Sequence, residues 1–443
     1  MSDELESRLF HSRAVEALIW GMPLVNYRLM YDAAVRAGMS PGSNETVLWP
    51  GRLDWHNQTL TPNPDVVYLM PFFDTSSGPV VLEVPPAEGG AINGSVMDCW
   101  QAAIEDVGVA GVDQGAGGRY VVLPPGYDAP VPDGFVPLPS PTVRGYALLR
   151  SVPTGGSEAE IAAAVDYARR VRVYPLGADA SESRFVEVGD QTFDAVIPYD
   201  ARFYETLHAA LQDEPWLERD RALIDTLATL GIVRGSELDL DDDARASLDA
   251  AAAEAHALLD ERYVHVITPF AEGARWGLPA QPVLVRAVGA GFAEPESYPV
   301  DARGLTYTFA FFSARHLGTG QFYLMTVADA DGNPLDGAHT YELVVPRDAP
   351  VTQYWSATLY DRDTHTLLQG LDRSGVSSQT AGLVVSDDGA TRLRIGPTAP
   401  EQNAANWAPT DPTRPFEVLF RLYGPTAAFF DKTWRLPDLV RVG

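Results

Sequence analysis

The chain has 443 residues, 46% of them hydrophobic, enough to bury the cores of about two to four domains. Its 60 acidic and 32 basic residues give a formal charge of −28, which repels nucleic-acid phosphates and anionic lipid headgroups. Nucleic acid and membranes are therefore not expected partners, and the expected ligand is a small molecule, neutral or cationic rather than polyanionic.

Residues 4–37 carry helical spacing, with Leu5 four before Leu9 and Val15 four before Ile19. Pro23 is placed to open a second helix through "LVNYRLMYDAAVRAG". The start "MSDELESRLFHSR" has neither the basic nor the apolar segment of an export signal, and no apolar run reaches the roughly 18 residues of a membrane span, so a cytoplasmic protein is expected. From Pro50 to Val152 the pattern becomes short β-rich runs cut by Pro and Gly: "VVYLMPFF", "PVVLEVP", "RYVVLPP" and "YALLRSV".

Helical periodicity returns at "PTGGSEAEIAAAVDYARRV", where Ser157 and Glu160 stand at capping-box spacing. Helices are expected to dominate to Arg262, and "ELDLDDDARASLDAAAAEAHALLDER" reads as an exposed amphipathic helix with a solvated acidic face. "DADGNPLDG" lacks the terminal glutamate of a calcium loop and reads as a hairpin turn. Strands resume at Tyr341 and continue to the C-terminus.

The expected fold is α+β and multidomain: two antiparallel β-sandwich or jelly-roll-like domains with an N-terminal helical segment and a central helical region. The expected divisions are N-terminal helices over 1–49, a first sandwich over 50–152, a helical region over 153–262, a mixed connector over 263–340 and a second sandwich over 341–443. The two β regions look duplicated. "VVLEVP" and "YELVVP" are each followed, ten residues past the proline, by a serine, Ser95 and Ser356. Each unit then closes on an arginine inside an apolar strand, Arg150 in "YALLR" and Arg421 in "VLFRLYGP".

Several chemistries are excluded by counts. Lys432 is the only lysine and lies in "FFDKTW", so a P-loop, a protein-kinase strand lysine and a pyridoxal Schiff base are all absent. Cys99 is the only cysteine, which removes internal disulfides and cysteine-based zinc clusters. No HxH, HExxH or GxGxxG pattern occurs, and neither a metal nor a cofactor is expected.

"TPNPDVVY", "FFDTSSGPVVLEVP" and "GGRYVVLPPG" resemble the bacterial domain-of-unknown-function family twelve fifty-four. "DADGNPLDGAHTYELVVP", "YWSATLYD", "NWAP" and "PFEVLFRLYGP" resemble its usual companion, family twelve fourteen. The resemblance implies two jelly-roll sandwiches joined by a helical region, and a homo-oligomer. It carries the first family's PNxDTxY motif onto Pro62, Asn63, Asp65 and Tyr68, with Val66 in place of the usual threonine, and the second's NWLP motif onto Asn406, Trp407 and Pro409, with Ala408 in place of leucine.

Asn63 and Asp65 precede a strand, at the end of a sheet where functional residues are often placed. A carboxylate beside a phenol can act as an acid and base pair. The expected catalytic residues are Asp65 as base, Tyr68 as acid or oxyanion donor and Asp74 as the residue that orients them. The expected substrate-binding residues are Asn63, His56, Trp100, Trp355, Tyr360, Asn406, Trp407, Arg421 and Tyr423: rings with a polar handle, beside polar partners. Arg421 and Tyr423, two apart, share one face of their strand. The function expected from these residues is a cofactor-independent lyase, hydrolase or isomerase acting on a small oxygenated or cyclic metabolite. The alternative is a non-catalytic small-molecule or carbohydrate-binding or assembly protein built on paired jelly rolls.

Overall fold

In the computed structural model, which describes residues 3–189, 191–310, 314–316 and 320–442, the helices are α1 (Asp3–Arg36), α2 (Glu158–Ala168), α3 (Ala201–Gln212), α4 (Leu223–Ala228), α5 (Asp242–Val266), α6 (Pro282–Gly289), α7 (Val300–Phe309) and α8 (Ala427–Phe430). Pro23 does not open a second helix; α1 runs straight through it. A proline lacks the N–H that would bond back to Ile19, so that carbonyl is freed. The backbone of α7 covers it at Gly304, where a Cβ would sit 2.4 Å from the Ile19 oxygen. Residues 17–27 of α1 are buried all round, the condition of a helix enclosed by others.

The first twelve strands are β1 (Glu45–Leu48), β2 (Asn57–Gln58), β3 (Val67–Asp74), β4 (Val80–Val84), β5 (Ile92–Asp98), β6 (Ala103–Gly108), β7 (Gly118–Leu123), β8 (Val136–Pro139), β9 (Arg144–Ser151), β10 (Arg172–Pro175), β11 (Arg184–Glu187) and β12 (Phe193–Asp194). The remaining ten are β13 (Thr268–Pro269), β14 (Gly277–Leu278), β15 (Gln321–Thr326), β16 (Tyr341–Val345), β17 (Trp355–Asp361), β18 (Gly375–Ser377), β19 (Thr391–Gly396), β20 (Trp407–Pro409), β21 (Phe416–Tyr423) and β22 (Val440–Arg441). The first unit packs a six-stranded sheet, β11-β1-β3-β9-β5-β6, on a four-stranded one, β10-β4-β7-β8. The second packs β13-β14-β15-β21-β17-β18 on β20-β19-β16-β22.

The units are copies of one plan. In each four-stranded sheet an antiparallel pair, β4·β7 or β16·β19, is extended by a parallel neighbour, β8 or β20. In the large sheets β3·β9·β5 and β15·β21·β17 are antiparallel throughout. The register sets Arg150 between Tyr68 and Asn93, and Arg421 between Tyr323 and Ser356. Asn93 therefore corresponds to Ser356, and the match of Ser95 with Ser356 drawn from counting along the chain is two residues out. Strands β10, β11 and β12 interrupt the expected helical region and join the first unit, because runs of two to four residues are too short to display a period.

Each large sheet gives one face to its own sandwich and turns the other inward. Tyr68, Met70, Phe72, Tyr146 and Leu148 of the first unit, and Met325, Tyr360 and Leu419 of the second, join α1, α3 and α5 in one shared core. Ser157 makes the expected capping box with Glu160, and α5 buries Leu248, Ala255 and Tyr263 while its acidic residues stay in solvent. The "DADGNPLDG" segment is a turn in which Asp329 accepts from the backbone N–H groups of Asp331 and Asn333.

Glu214, buried just past α3, accepts from the N–H groups of Val143 (2.7 Å) and Arg144 (2.9 Å), and burial pushes it up to about 7 from an ordinary 4.5. A raised carboxyl contributes stability below its unfolded value and loses that contribution as pH rises through the folded one. The stability difference between wild type and Glu214→Gln, measured by urea denaturation, should fall by about 3 kcal/mol from pH 4.5 to above 7; parallel pH curves would contradict the assignment.

Candidate functional site

The loop before β3 is held where the two inward faces meet. Thr61 has φ of 36°, a region that β-branched residues avoid. It is pinned on three sides: its N–H donates to the His365 carbonyl (2.7 Å), its hydroxyl to the Phe309 carbonyl (2.9 Å), and its own carbonyl accepts from Arg421 Nη2 (2.9 Å). Arg421 also donates to the Tyr360 hydroxyl (2.6 Å) and to Thr358 Oγ1 (3.0 Å). The Tyr360 hydroxyl donates in turn to the Pro62 carbonyl (2.6 Å). A buried guanidinium of the second unit thus grips the loop of the first.

Asn63 is the hub that follows. Its Nδ2 donates to the hydroxyls of Tyr423 (2.6 Å) and Tyr354 (3.2 Å), its Oδ1 accepts from the N–H of Asp65 (3.0 Å), and its backbone N–H donates to the Tyr68 hydroxyl (3.2 Å). The Asn-Pro-Asp turn and the site are therefore the same structure. The Tyr68 oxygen accepts a second bond from Arg150 Nε (3.2 Å), whose guanidinium also lies 5.3 Å over the Tyr68 ring. Among the described residues nothing accepts the Tyr68 proton, so the phenol is free to donate. Asp65 accepts from Arg52 Nη1 (3.2 Å), and the buried Ser356 hydroxyl lies beside the carboxylate without a well-formed hydrogen bond.

These contacts tune both groups. Burial raises Asp65 above its ordinary 3.8, only partly offset by Arg52, Ser356 and Arg421. Burial also opposes ionisation of Tyr68, but Arg150, Arg421 and the Asn63 N–H outweigh it and hold the phenol below its ordinary 10.0. Tyr423 and Tyr354 have no such cation bonded to them, and burial pushes both up. Arg52 is exposed at the edge of the group, Thr61, Arg150 and Tyr323 are half-buried, and the rest are buried.

Of the residues singled out in the sequence, Asn63, Asp65, Tyr68, Tyr360, Arg421 and Tyr423 come together here. Asp74 does not: it ends β3, six residues past Tyr68 and so about 20 Å away. It accepts from Arg144 Nε (2.8 Å) and from the Ser76 N–H (2.9 Å); burial works against its charge, but these partners hold it below its ordinary value. Trp355 faces the second sandwich core, stacked on Phe420, because it alternates with Ser356 along β17. Trp100 is in the shared core against Trp20. His56 pairs with Asp54 and stacks on Trp55 away from the centre. Asn406 braces the backbone of Val384 and Arg392, and the Trp407 indole donates to the Gly396 carbonyl at the edge of the smaller sheet.

Sequence reading missed Arg52, Tyr323, Tyr354 and Ser356 as site residues and left Arg150 without a role. The usable signal was the two-residue period on β17 and just before it, where Tyr354, Ser356, Thr358 and Tyr360 share a side. Two surface cavities, of about 490 Å³ beside Asp336 and Arg414 and about 270 Å³ beside Phe270 and Trp434, belong to the second unit and touch none of these groups.

The fold and this centre define a protein of two duplicated β-sandwiches that meet, with their helices, around one polar cluster. Residues 43–175 match the family described as "Protein of unknown function (DUF1254)" and residues 320–427 match "Protein of unknown function (DUF1214)". The chain belongs to the proteins that join these two domains in this order. No curated protein matches it. It is similar to the solved structure of the VPA0106 protein from Vibrio parahaemolyticus, at 17% identity and a TM-score of 0.59 over 98% of this chain and 100% of that one, which shows a shared fold. An uncharacterized protein from Burkholderia cenocepacia aligns at 12% identity and a TM-score of 0.41 over 98% of this chain and 94% of that one. Among the described residues no helix is long and apolar enough to cross a membrane.

Replacing Arg421 by methionine removes the donor to the Thr61 carbonyl and to two hydroxyls. Arg421→Met should cost about 3 kcal/mol in denaturant unfolding, whereas Arg150→Met, which gives up one hydrogen bond and its place over the Tyr68 ring, should cost about 1.5 kcal/mol. Equal costs would contradict the tie described here.

Proposed function

We propose that the chain is an acid–base enzyme acting on a small oxygenated or cyclic metabolite, with Asp65 as the base and Tyr68 as the proton or oxyanion donor. The observation that carries the reading is the opposed tuning of two groups joined through Asn63: the carboxyl is raised and the phenol lowered, each toward the pH at which a base or an acid works best. Asn63 takes the orienting role first expected of Asp74. Its side chain fixes the N–H of Asp65, and its backbone N–H fixes the oxygen of Tyr68.

In this mechanism Asp65, ionised, removes a proton from the substrate, and Tyr68, neutral, donates to the oxygen on which charge develops. Arg150 makes that donation easier by stabilising the phenolate that remains. Tyr423 and Tyr354 supply ring surface beside the reacting groups. No cofactor has a role in these steps.

The test is a screen of metabolites for turnover by wild type, Asp65→Asn and Tyr68→Phe in parallel. Any true substrate should lose at least about 100-fold in kcat/KM with either variant, while melting temperatures stay close to wild type. A fall in melting temperature with turnover retained would make Asp65 a turn residue only, and ligand affinity without turnover in wild type would favour the binding-protein alternative.

The active form has Asp65 deprotonated and Tyr68 protonated. The kcat/KM profile should therefore rise with pH at a value above 3.8 and fall at a value below 10.0. Tyr68→Phe should remove the alkaline limb; a profile whose limbs stay at the ordinary values would contradict the tuning.

A further inference from the structure

The duplication places two arginines in equivalent register, yet their surroundings differ. Arg421 is used up by Thr358, Tyr360 and the carbonyl of Thr61, and only its stacking 5.5 Å from the Tyr323 ring repeats the geometry of the other unit. Arg150 spends Nε on the Tyr68 oxygen (3.2 Å). Among the described residues it makes no ion pair and no other hydrogen bond, so its two terminal nitrogens are uncommitted. The residues on its sides are the phenols of Tyr68, Tyr323 and Tyr423, with Asn93 opposite it on β5. Arg172, Arg303, Arg315, Arg373 and Arg421 are also buried or half-buried without an ion pair among the described residues, but they spend terminal nitrogens on carbonyls or hydroxyls, and Arg150 does not.

The geometry points to Arg150 as the anchor for a negative charge on the ligand: the centre takes a small monocarboxylate with an apolar or ring-bearing body. The inference rests on the acid–base reading only in calling that ligand a substrate. Two parallel N–H donors match the two oxygens of one carboxylate. A phosphate or polyanion would need further free cations, and the other arginines of the centre are taken, Arg52 by Asp65 and Arg421 by Thr61, Thr358 and Tyr360. The formal charge of −28 also repels a second negative charge. The ligand body would lie against phenol rings, Tyr354 and Tyr423 being stacked at 4.3 Å beside Asn63. A neutral or cationic ligand, expected from overall charge, gives way here to the local field of one unpaired arginine.

The experiment is isothermal titration of the full chain with benzoate and with benzamide, which share a ring and differ in charge, for wild type and Arg150→Met. Benzoate should bind wild type at least tenfold tighter than benzamide, and Arg150→Met should erase that preference while leaving benzamide unchanged. Equal binding of the two compounds to wild type, no binding of benzoate, or undiminished benzoate binding by folded Arg150→Met would each overturn the inference. Should Arg150→Met not fold, the comparison of acid with amide on wild type decides alone. The two readings fail separately. Carboxylates that bind through Arg150 but are never turned over leave the anion site and remove catalysis. Turnover of neutral compounds that depends on Asp65 does the reverse.

Discussion

The contact on which the centre depends is the reach of Arg421 from the second sandwich to the carbonyl of Thr61 in the first. With the bonds of Thr61 to His365 and Phe309, it holds a loop that carries a strained threonine and so keeps Asn63, Asp65 and Tyr68 in one arrangement. A buried guanidinium is costly to desolvate, and it persists here because its hydrogen bonds go to a carbonyl and two hydroxyls fixed by packed strands. The same contact ties the duplicated halves to each other. The site therefore belongs to neither sandwich alone.

Duplication supplied two inward-facing Tyr–Arg pairs, and the halves have put them to different uses. In the second, the arginine has turned to structural work and its tyrosine is left half-buried. In the first, the arginine bonds to the tyrosine and lowers its phenol. Overall charge says little about such a place. Acidic residues outnumber basic ones 60 to 32 in the chain as a whole, while the centre concentrates arginines and phenols, most of them buried, where each charge acts more strongly than it would in water.

Much of the architecture was legible along the chain: the helical start, the two β regions, the capped helix at Ser157 and the duplication itself. Pro23 misled because a proline inside a helix is tolerated when a neighbouring backbone covers the carbonyl it frees, and Gly304 lies far away in sequence. Part of the site was legible too, since Asn63, Asp65 and Tyr68 lie in one motif and Arg421 and Tyr423 share a strand face. Asp74 failed because β3 is buried along its whole length with no polar alternation, so nothing marks which of its ends meets the partner unit. On β17 the alternation of Ser356, Thr358 and Tyr360 with Trp355, Ala357 and Leu359 was present, and Trp355 lies on the apolar side of it. Arg150 interrupts its strand visibly, but its role depends on the absence of a nearby carboxylate, which only three-dimensional packing decides.

The central claim is that two groups joined through Asn63 are tuned in opposite senses, burial raising the Asp65 carboxyl and Arg150, Arg421 and the Asn63 N–H lowering the Tyr68 phenol. The direct measurement is a pH titration by carbon NMR of protein labelled at the carboxyl carbons of aspartate and the ring ζ carbons of tyrosine, with Asp65→Asn and Tyr68→Phe assigning the two signals. The account predicts Asp65 titrating above 3.8 and Tyr68 below 10.0. Both groups titrating at those ordinary values, or Tyr68 rising with the other buried tyrosines, would contradict it.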